Sequence, residues 1–206
     1  MFKKIKEDFS LLAILLIPIG IAVNFVGFQV AQILRLPIFL DTIGTILIGV
    51  IAGPWVALIG ALITNSITAI FNPVYFPYVV TSMAIGVAAG LLSKYGMFRN
   101  IYKTIFSGLV ITLIAVVVSA PITVLFFGGA TGNTSSAITA AFLAMGQNIW
   151  GAVFSSTIIT EIADKVISTL LVYFVVKSIS DRYLSKMKYG HLYMKKSKNN
   201  SNKKAS

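Results

Sequence analysis

The sequence predicts an all-α membrane protein, a six-helix transmembrane bundle with a short second helix and room for an extra outer-leaflet helix before the last span. Three observations predict it. Hydrophobic residues make up 57% of the chain and charged residues 11%, and the mean hydropathy of +0.89 lies outside the range of soluble domains. From Thr104 to Thr160 no side chain is ionisable, a stretch longer than two spans of about 20 residues each. Finally, Pro and Gly breakers divide the apolar runs at helix-sized intervals.

The start, MFKKIKEDFSLLAILLIPIGIAV, has the basic flank of a signal peptide, but its apolar run is too long and no small-residue cleavage site closes it. A retained first helix from about Phe9 to Leu34 is expected. Pro37 in RLPIFLDT prevents simple continuation, and a second apolar run extends only from Asp41 to Ala52. A dozen residues reach about 18 Å, against a hydrocarbon core of about 30 Å. This helix therefore needs protein or a wet cavity around it. Gly53-Pro54 marks a tight turn, a third helix fits Trp55 to Phe71, and NPVYFP forms a loop. A fourth helix fits Tyr78 to about Tyr95, and a fifth about Thr104 to Phe127, which ends in the polar loop GGATGNTSS. The last helix is expected from about Thr160 to Ile179. The piece Ala137 to Thr157, with Gln147, Asn148 and Trp150, reads as an outer-leaflet or re-entrant helix before it.

Charge tests the count. With Lys3, Lys4 and Lys6 cytoplasmic, six crossings return the basic C-terminus to the cytoplasm and leave Lys94, Arg99 and Lys103 there too. Merging residues 41–71 into one span would put the two basic ends on opposite sides. The expected setting is a membrane crossed several times, with both termini cytoplasmic. Of the net +11, much lies after Asp181, where Arg182, Lys186, Lys188, Lys195, Lys196, Lys198, Lys203 and Lys204 have no balancing acid. Such a run suits anionic membrane lipid and does not require nucleic acid. The division expected is a transmembrane substrate-binding domain, 1–182, and a basic cytoplasmic tail, 183–206, largely disordered, its last dozen residues having no apolar surface to bury.

Several chemistries are excluded. There is no cysteine, so disulfides and thiolate metal sites are absent. The one histidine, His191, lies in the polar tail, which removes His-based triads and metal clusters from the membrane. No Gly-rich phosphate loop occurs, so ATP hydrolysis is not expected of this chain. No catalytic residue, metal ligand or cofactor site is assigned.

What remains is ITEIADKVIS, residues 159–168, with two carboxylates and a lysine in the last span. Glu161, Asp164, Lys165 and Ser168 share one side of a helix. A charge at the centre of a membrane helix costs about 2.5–3.5 kcal/mol, so these groups pair with one another at the interface or face an aqueous cavity that binds a polar ligand. Asp41, at the start of the short helix, and Asn72 and Tyr75, on the next outer loop, converge on the same level and favour the cavity. Asn65 in the third helix, and Asn24 with Gln29 in the first, add polar groups that either face a ligand or bond between helices. Phe71, Tyr75, Phe76, Tyr78 and Trp150 either stack on a planar ring or form an interfacial belt. Candidate substrate-binding residues are Asp41, Asn65, Asn72, Tyr75, Gln147, Trp150, Glu161, Asp164 and Lys165.

The block LPIFLDTIGTILIGVIAGPWVALIGALITNSITAIFNP, followed by YVVTSMAIGVAAGLLSKYG and the EIADKVIS opening of the last helix, resembles the substrate-binding S components of energy-coupling factor (ECF) vitamin transporters. The likeness covers roughly residues 9–182. It implies six helices enclosing one water-soluble vitamin near the extracellular face, beneath the loop joining helices one and two. Here that loop contains Arg35, Leu36 and Pro37, which would form the gate. It also implies partners, a transmembrane coupling subunit and two cytoplasmic ATPases, and a loaded chain that tilts to open inward. Several members dock through Ala-x-x-x-Ala on helix one. Here Ala13 is followed by Ile17, so Ala13 and Gly20 would stand in its place. The acids and the lysine suit a neutral or weakly basic ring bearing hydroxyls, pyridoxine-like or hydroxymethylpyrimidine-like, and the sequence is similar to members assigned to pyridoxine. Two other classes remain open, a self-sufficient proton-coupled permease or channel relaying protons through Glu161, Asp164 and Lys165, and a membrane enzyme using Asp164 and Lys165 as acid and base.

Overall fold

The computed structural model describes residues 8–194, and among them all regular structure is helical. The elements are α1 Leu11–Ile33, α2 Ile43–Ile51, α3 Pro54–Phe71, a 3₁₀ turn Pro73–Tyr75, α4 Val79–Lys94, α5 Ile101–Phe127, α6 Ser135–Ala144, α7 Ile149–Ser178, α8 Asp181–Leu184 and a 3₁₀ turn Gly190–Tyr193. By length and composition α1, α3 and α5 can cross a membrane. To these α4 adds a shorter apolar helix and α7 a 30-residue helix with a charged centre. The six crossings expected include α2, whose nine residues span only about 14 Å. Large apolar side chains such as Leu11, Ile33, Ile70 and Leu125 stand exposed along the bundle, a surface suited to lipid and unlike that of a soluble monomer.

Short α2 occupies the middle, packed against α1, α3, α4 and α7, and every residue from Gly44 to Ile51 is buried. Its first N–H groups need acceptors, and its N-cap residue, Thr42, supplies no side-chain bond. Asn24, buried in α1, does so instead. Its Oδ1 accepts from Gly44 N at 2.6 Å and Thr45 N at 3.3 Å, and its Nδ2 donates to Thr45 Oγ1 at 2.9 Å and Thr64 Oγ1 at 3.3 Å. Gln29 is exposed on the outer side of α1, so only one of the two amides expected to face the bundle does so. Asn24→Leu should cost roughly 1–3 kcal/mol, since it orphans two buried amides. Thermal unfolding in detergent checks this, with Gln29→Leu expected to leave the midpoint unchanged.

At the far end of α2, Gly53 (φ 115°) makes the turn that a glycine favours, and Pro54 opens α3. A Cβ on Gly90 of α4 would lie 2.4 Å from Pro54 N, so this contact requires glycine. Apolar burial gives helices in lipid little drive to associate, and close contact between small residues takes its place.

Two boundaries differ from expectation. The last helix starts at Ile149, eleven residues before Thr160. Gly146 (φ 86°) ends the preceding segment, and Asn148 caps the new helix by accepting from Gly151 N at 2.8 Å. The separate helix expected over 137–157 is thus α6 plus the first turns of α7. The basic tail, expected from 183, is folded at least to Met194. Leu184 and Met187 are buried in the core, and Tyr189 N donates to Ile51 O at 3.2 Å, capping the end of α2. Arg99 Nε donates to Leu192 O at 2.9 Å, Lys188 pairs with the buried Asp8, and Tyr193 OH donates to Ser93 O at 3.2 Å. Burial pushes the Tyr193 hydroxyl up to about 12, so it remains a donor at neutral pH. Aromatic and apolar residues among the lysines provide the buried surface that the charge count obscured. Lys3, Lys4, Lys6 and residues 195–206 lie outside the described residues.

Candidate functional site

The last-helix charges sit near the middle of α7, not at its outer end, and are buried, with Glu161 at 4% exposure, Asp164 at 0% and Lys165 at 2%. Lys165 Nζ lies 3.2 Å from Glu161 Oε2, donates to Thr42 Oγ1 at 3.2 Å and is ion-paired with Asp164 Oδ2. The other Asp164 oxygen, Oδ1, accepts from Phe39 N at 3.1 Å and Leu40 N at 2.7 Å. One lysine therefore joins a residue facing inward, Glu161, to a residue holding the α1–α2 loop, Asp164.

Beside Glu161 and Lys165 lies a cavity of about 730 Å³ of atom-free space, its opening included. It is lined by the α1–α2 loop (Phe39, Asp41, Thr42), the α3–α4 connection (Val74, Tyr75, Tyr78), α4, α5, the α5–α6 loop, α6 and α7. Twelve of the lining residues are Ser or Thr and two are Tyr, so many hydroxyls are set into a wall whose surface is otherwise largely apolar. Among the described groups, Thr81 Oγ1 in α4, Ser119 Oγ in α5 and Glu161 Oε2 are buried without a hydrogen-bond partner. Glu161 Oε2 is at ion-pair distance from Lys165 without hydrogen-bond alignment. Buried polar atoms rarely stay unpaired, so the Thr81 and Ser119 hydroxyls, with the Glu161 carboxylate, are groups a polar ligand would satisfy; a further such atom, Ser168 Oγ, does not line the cavity. The Tyr78 ring is stacked on Phe127 with centroids 5.8 Å apart, and its hydroxyl bonds Thr123 Oγ1 at 2.7 Å. Tyr75 is packed edge-on against Phe28 at 4.9 Å, and its hydroxyl accepts from Gln32 Nε2 at 2.9 Å. Both rings reach the cavity already oriented.

The structure brings Asp41, Tyr75, Glu161 and Lys165 together on this cavity. Asp164 stands behind it, bonded to loop backbone. Asn65 is buried and reaches Tyr75 O at 3.5 Å, and Asn72 caps the 3₁₀ turn by accepting from Val74 N at 3.2 Å. Both hold Tyr75 in place without lining the cavity. Gln147 is exposed, and Trp150 is 43% exposed and stacked on Phe154. Neither reaches the cavity, because the early start of α7 places them a long way up the helix from Glu161. Leu36 and Pro37 face Asn133 and Thr134 of the α5–α6 loop and Ser135 at the start of α6, so two loops meet over the site, while Arg35 is exposed with φ 51°. Ala13 and Gly20 are both buried within the bundle. Gly20 lies against Gly44, so neither residue offers an outward docking surface.

The hydroxyl wall was missed from sequence. Its signal is Ser/Thr pairs four apart in otherwise apolar helices, Ser119 with Thr123 and Ser156 with Thr160, each on one helical face.

Comparison with known families decides the identity of the fold. A model of the substrate-specific component of ECF transporters matches residues 12–176. The chain belongs to this family. No match was found among curated proteins or among solved structures. A substrate-specific component is the membrane-embedded, substrate-binding subunit of its transporter and not an enzyme. Its matched span runs from α1 nearly to the end of α7, and so includes every element that lines the cavity.

Proposed function

We propose that this substrate-specific component takes up one small water-soluble vitamin with a neutral or weakly basic, hydroxyl-bearing ring, pyridoxine-like or hydroxymethylpyrimidine-like, in the cavity beside Glu161 and Lys165. The observation that carries the reading is the wall itself. It combines many hydroxyls, two aromatic rings, two acids (Asp41 and Glu161) and a single lysine already shared between carboxylates. A ligand with ring nitrogens and hydroxyls finds donors, acceptors and stacking faces there. A dianionic ligand would meet more negative than positive charge. Transport is driven by a transmembrane coupling subunit with two ATPases, and the α1–α2 loop, with Arg35, Leu36 and Pro37, serves as the gate. The basic residues Lys94, Arg99, Lys103, Lys177 and Arg182 gather at the end of the bundle opposite that loop, which supports a cytoplasmic placement of both termini in a bacterial plasma membrane.

The test is to identify by mass spectrometry the small molecule that copurifies with the protein, then to titrate it by calorimetry. Glu161→Gln is expected to weaken binding more than tenfold, about 1.4 kcal/mol. A strongly anionic ligand, or unchanged affinity in Glu161→Gln, would overturn the assignment. Uptake into vesicles should require the partner subunits and ATP, and uptake by this chain alone along a proton gradient would favour a permease.

A further inference from the structure

We infer that Asp164 is a positioning residue acting through the α1–α2 loop and not a ligand contact. Both of its oxygens are already engaged by the protein. Oδ1 accepts from Phe39 N at 3.1 Å and Leu40 N at 2.7 Å, and Oδ2 is paired with Lys165. The side chain is fully buried and does not line the cavity, whereas three residues of the loop it holds, Phe39, Asp41 and Thr42, do.

At Leu40 the loop is tied to both α7 and α1. Leu40 has a left-handed backbone (φ 52°), which a leucine adopts only when its surroundings impose it. The imposing contacts are Asp164 on one side and α1 on the other. A Cβ on Gly27 would lie 2.1 Å from Leu40 O, so the carbonyl rests directly on the glycine backbone. Leu40 is thereby clamped between α1 and α7, its N–H turned to Asp164 and its C=O to Gly27. The clamp fixes the direction in which the next residue, Asp41, leaves the loop, and so sets the acid's position on the cavity wall. Thr42 is drawn in by the same group, because Lys165 Nζ reaches Thr42 Oγ1 at 3.2 Å. A carboxylate suits this role because one oxygen can accept two backbone N–H bonds while the other holds the lysine.

The inference deepens the proposed function and rests on it only where Asp41 is taken as a ligand contact. The clamp itself is testable with no ligand present. Hydrogen exchange, resolved to single amides, is measured on the full chain in detergent. In the wild type the Phe39 and Leu40 amides are expected to exchange at least tenfold more slowly than the Ile38 amide. Asp164→Ala should abolish that difference while leaving exchange in α3, α4 and α5 unchanged. Asp164→Asn keeps an acceptor oxygen and should retain most of the protection, and Glu161→Gln should retain all of it. Equal exchange at Ile38, Phe39 and Leu40 in the wild type overturns the inference even if Asp164→Ala fails to fold. So does an Asp164→Asn that behaves like Asp164→Ala, or a loss of protection spread evenly over the helices. A failure of the vitamin reading alone would leave these exchange results intact.

Discussion

Lys165→Ala should lower the stability of the bundle by about 3 kcal/mol or more and abolish ligand binding. Lys165 is the only cation among Asp41, Glu161 and Asp164 in the described part of the site, 3.2 Å from Glu161 and ion-paired with Asp164. Removing one partner of a buried pair leaves an uncompensated charge, at a cost of about 3–5 kcal/mol. The lower end of that range applies here, because an unfolded chain still in the membrane also finds partners for its polar groups. At about 2–4 °C per kcal/mol for a chain of this size, the unfolding midpoint should fall by roughly 6–12 °C in detergent. The pair Glu161→Gln with Lys165→Met removes both charges together and should recover part of the stability, since neutral replacement is cheaper than breaking the pair. It should not recover binding, because Glu161 and Lys165 both line the cavity. A single Lys165→Ala variant with wild-type melting and wild-type affinity would show that the three acids do not depend on this lysine.

Much of the fold was legible because its punctuation is chemical. Pro37, Gly53-Pro54 and NPVYFP end and start helices for reasons that a single residue imposes, and α1 to α4 lie within two residues of the expected limits. The pairing of Glu161 with Lys165 was legible from their spacing alone. The role of Asp164 was not, since its partners are backbone N–H groups 125 and 124 residues away, and a backbone amide has no signature in sequence. The hydroxyl wall was hidden for a related reason. A Ser or Thr in an apolar helix commonly bonds back to its own helix, as Thr123 does to Ser119 O and Thr160 to Ser156 O. Only the packed structure separates such residues from Thr81 and Ser119, which have no such partner among the described groups. The start of α7 was misplaced because Gln147 and Asn148 read as polar residues within a helix, whereas the left-handed Gly146 beside them ends one.

Gly44→Ala should be more destabilising than any other single glycine substitution at the α1–α2 contact, and Gly44→Val should prevent recovery of a folded monomer. A Cβ on Gly44 would lie 2.0 Å from Gly20 O, 2.6 Å from Gly20 C and 2.7 Å from Gly20 Cα. All three atoms are backbone, so no rotamer change relieves the overlap and α1 must move bodily away. The same displacement stretches the bond from Gly44 N to Asn24 Oδ1, now 2.6 Å, and with it the only side-chain cap that the short helix has. Overpacking alone costs about 1–3 kcal/mol, and the lost cap adds about 0.5–2 kcal/mol. The opposite substitution at the same contact separates this account from a general intolerance of α1. A Cβ on Gly20 would meet first Ile48 Cδ1 at 2.5 Å, the far end of a side chain that can rotate, and backbone only at 3.2 Å, at Gly44 O, so Gly20→Ala should cost less than Gly44→Ala. Gly60→Ala, whose Cβ would meet only Ile48 Cδ1 at 3.0 Å, should cost least. Thermal unfolding of the three variants in one detergent tests the order, and an equal loss at Gly44 and Gly20 would mean that α1 and α2 can separate freely. Because α2 is too short to span the membrane, its position depends on its packing against neighbouring helices, of which this contact is one. A displaced α2 would carry Thr42 and the end of the α1–α2 loop with it, so Gly44→Ala should also weaken ligand binding, although Gly44 does not line the cavity.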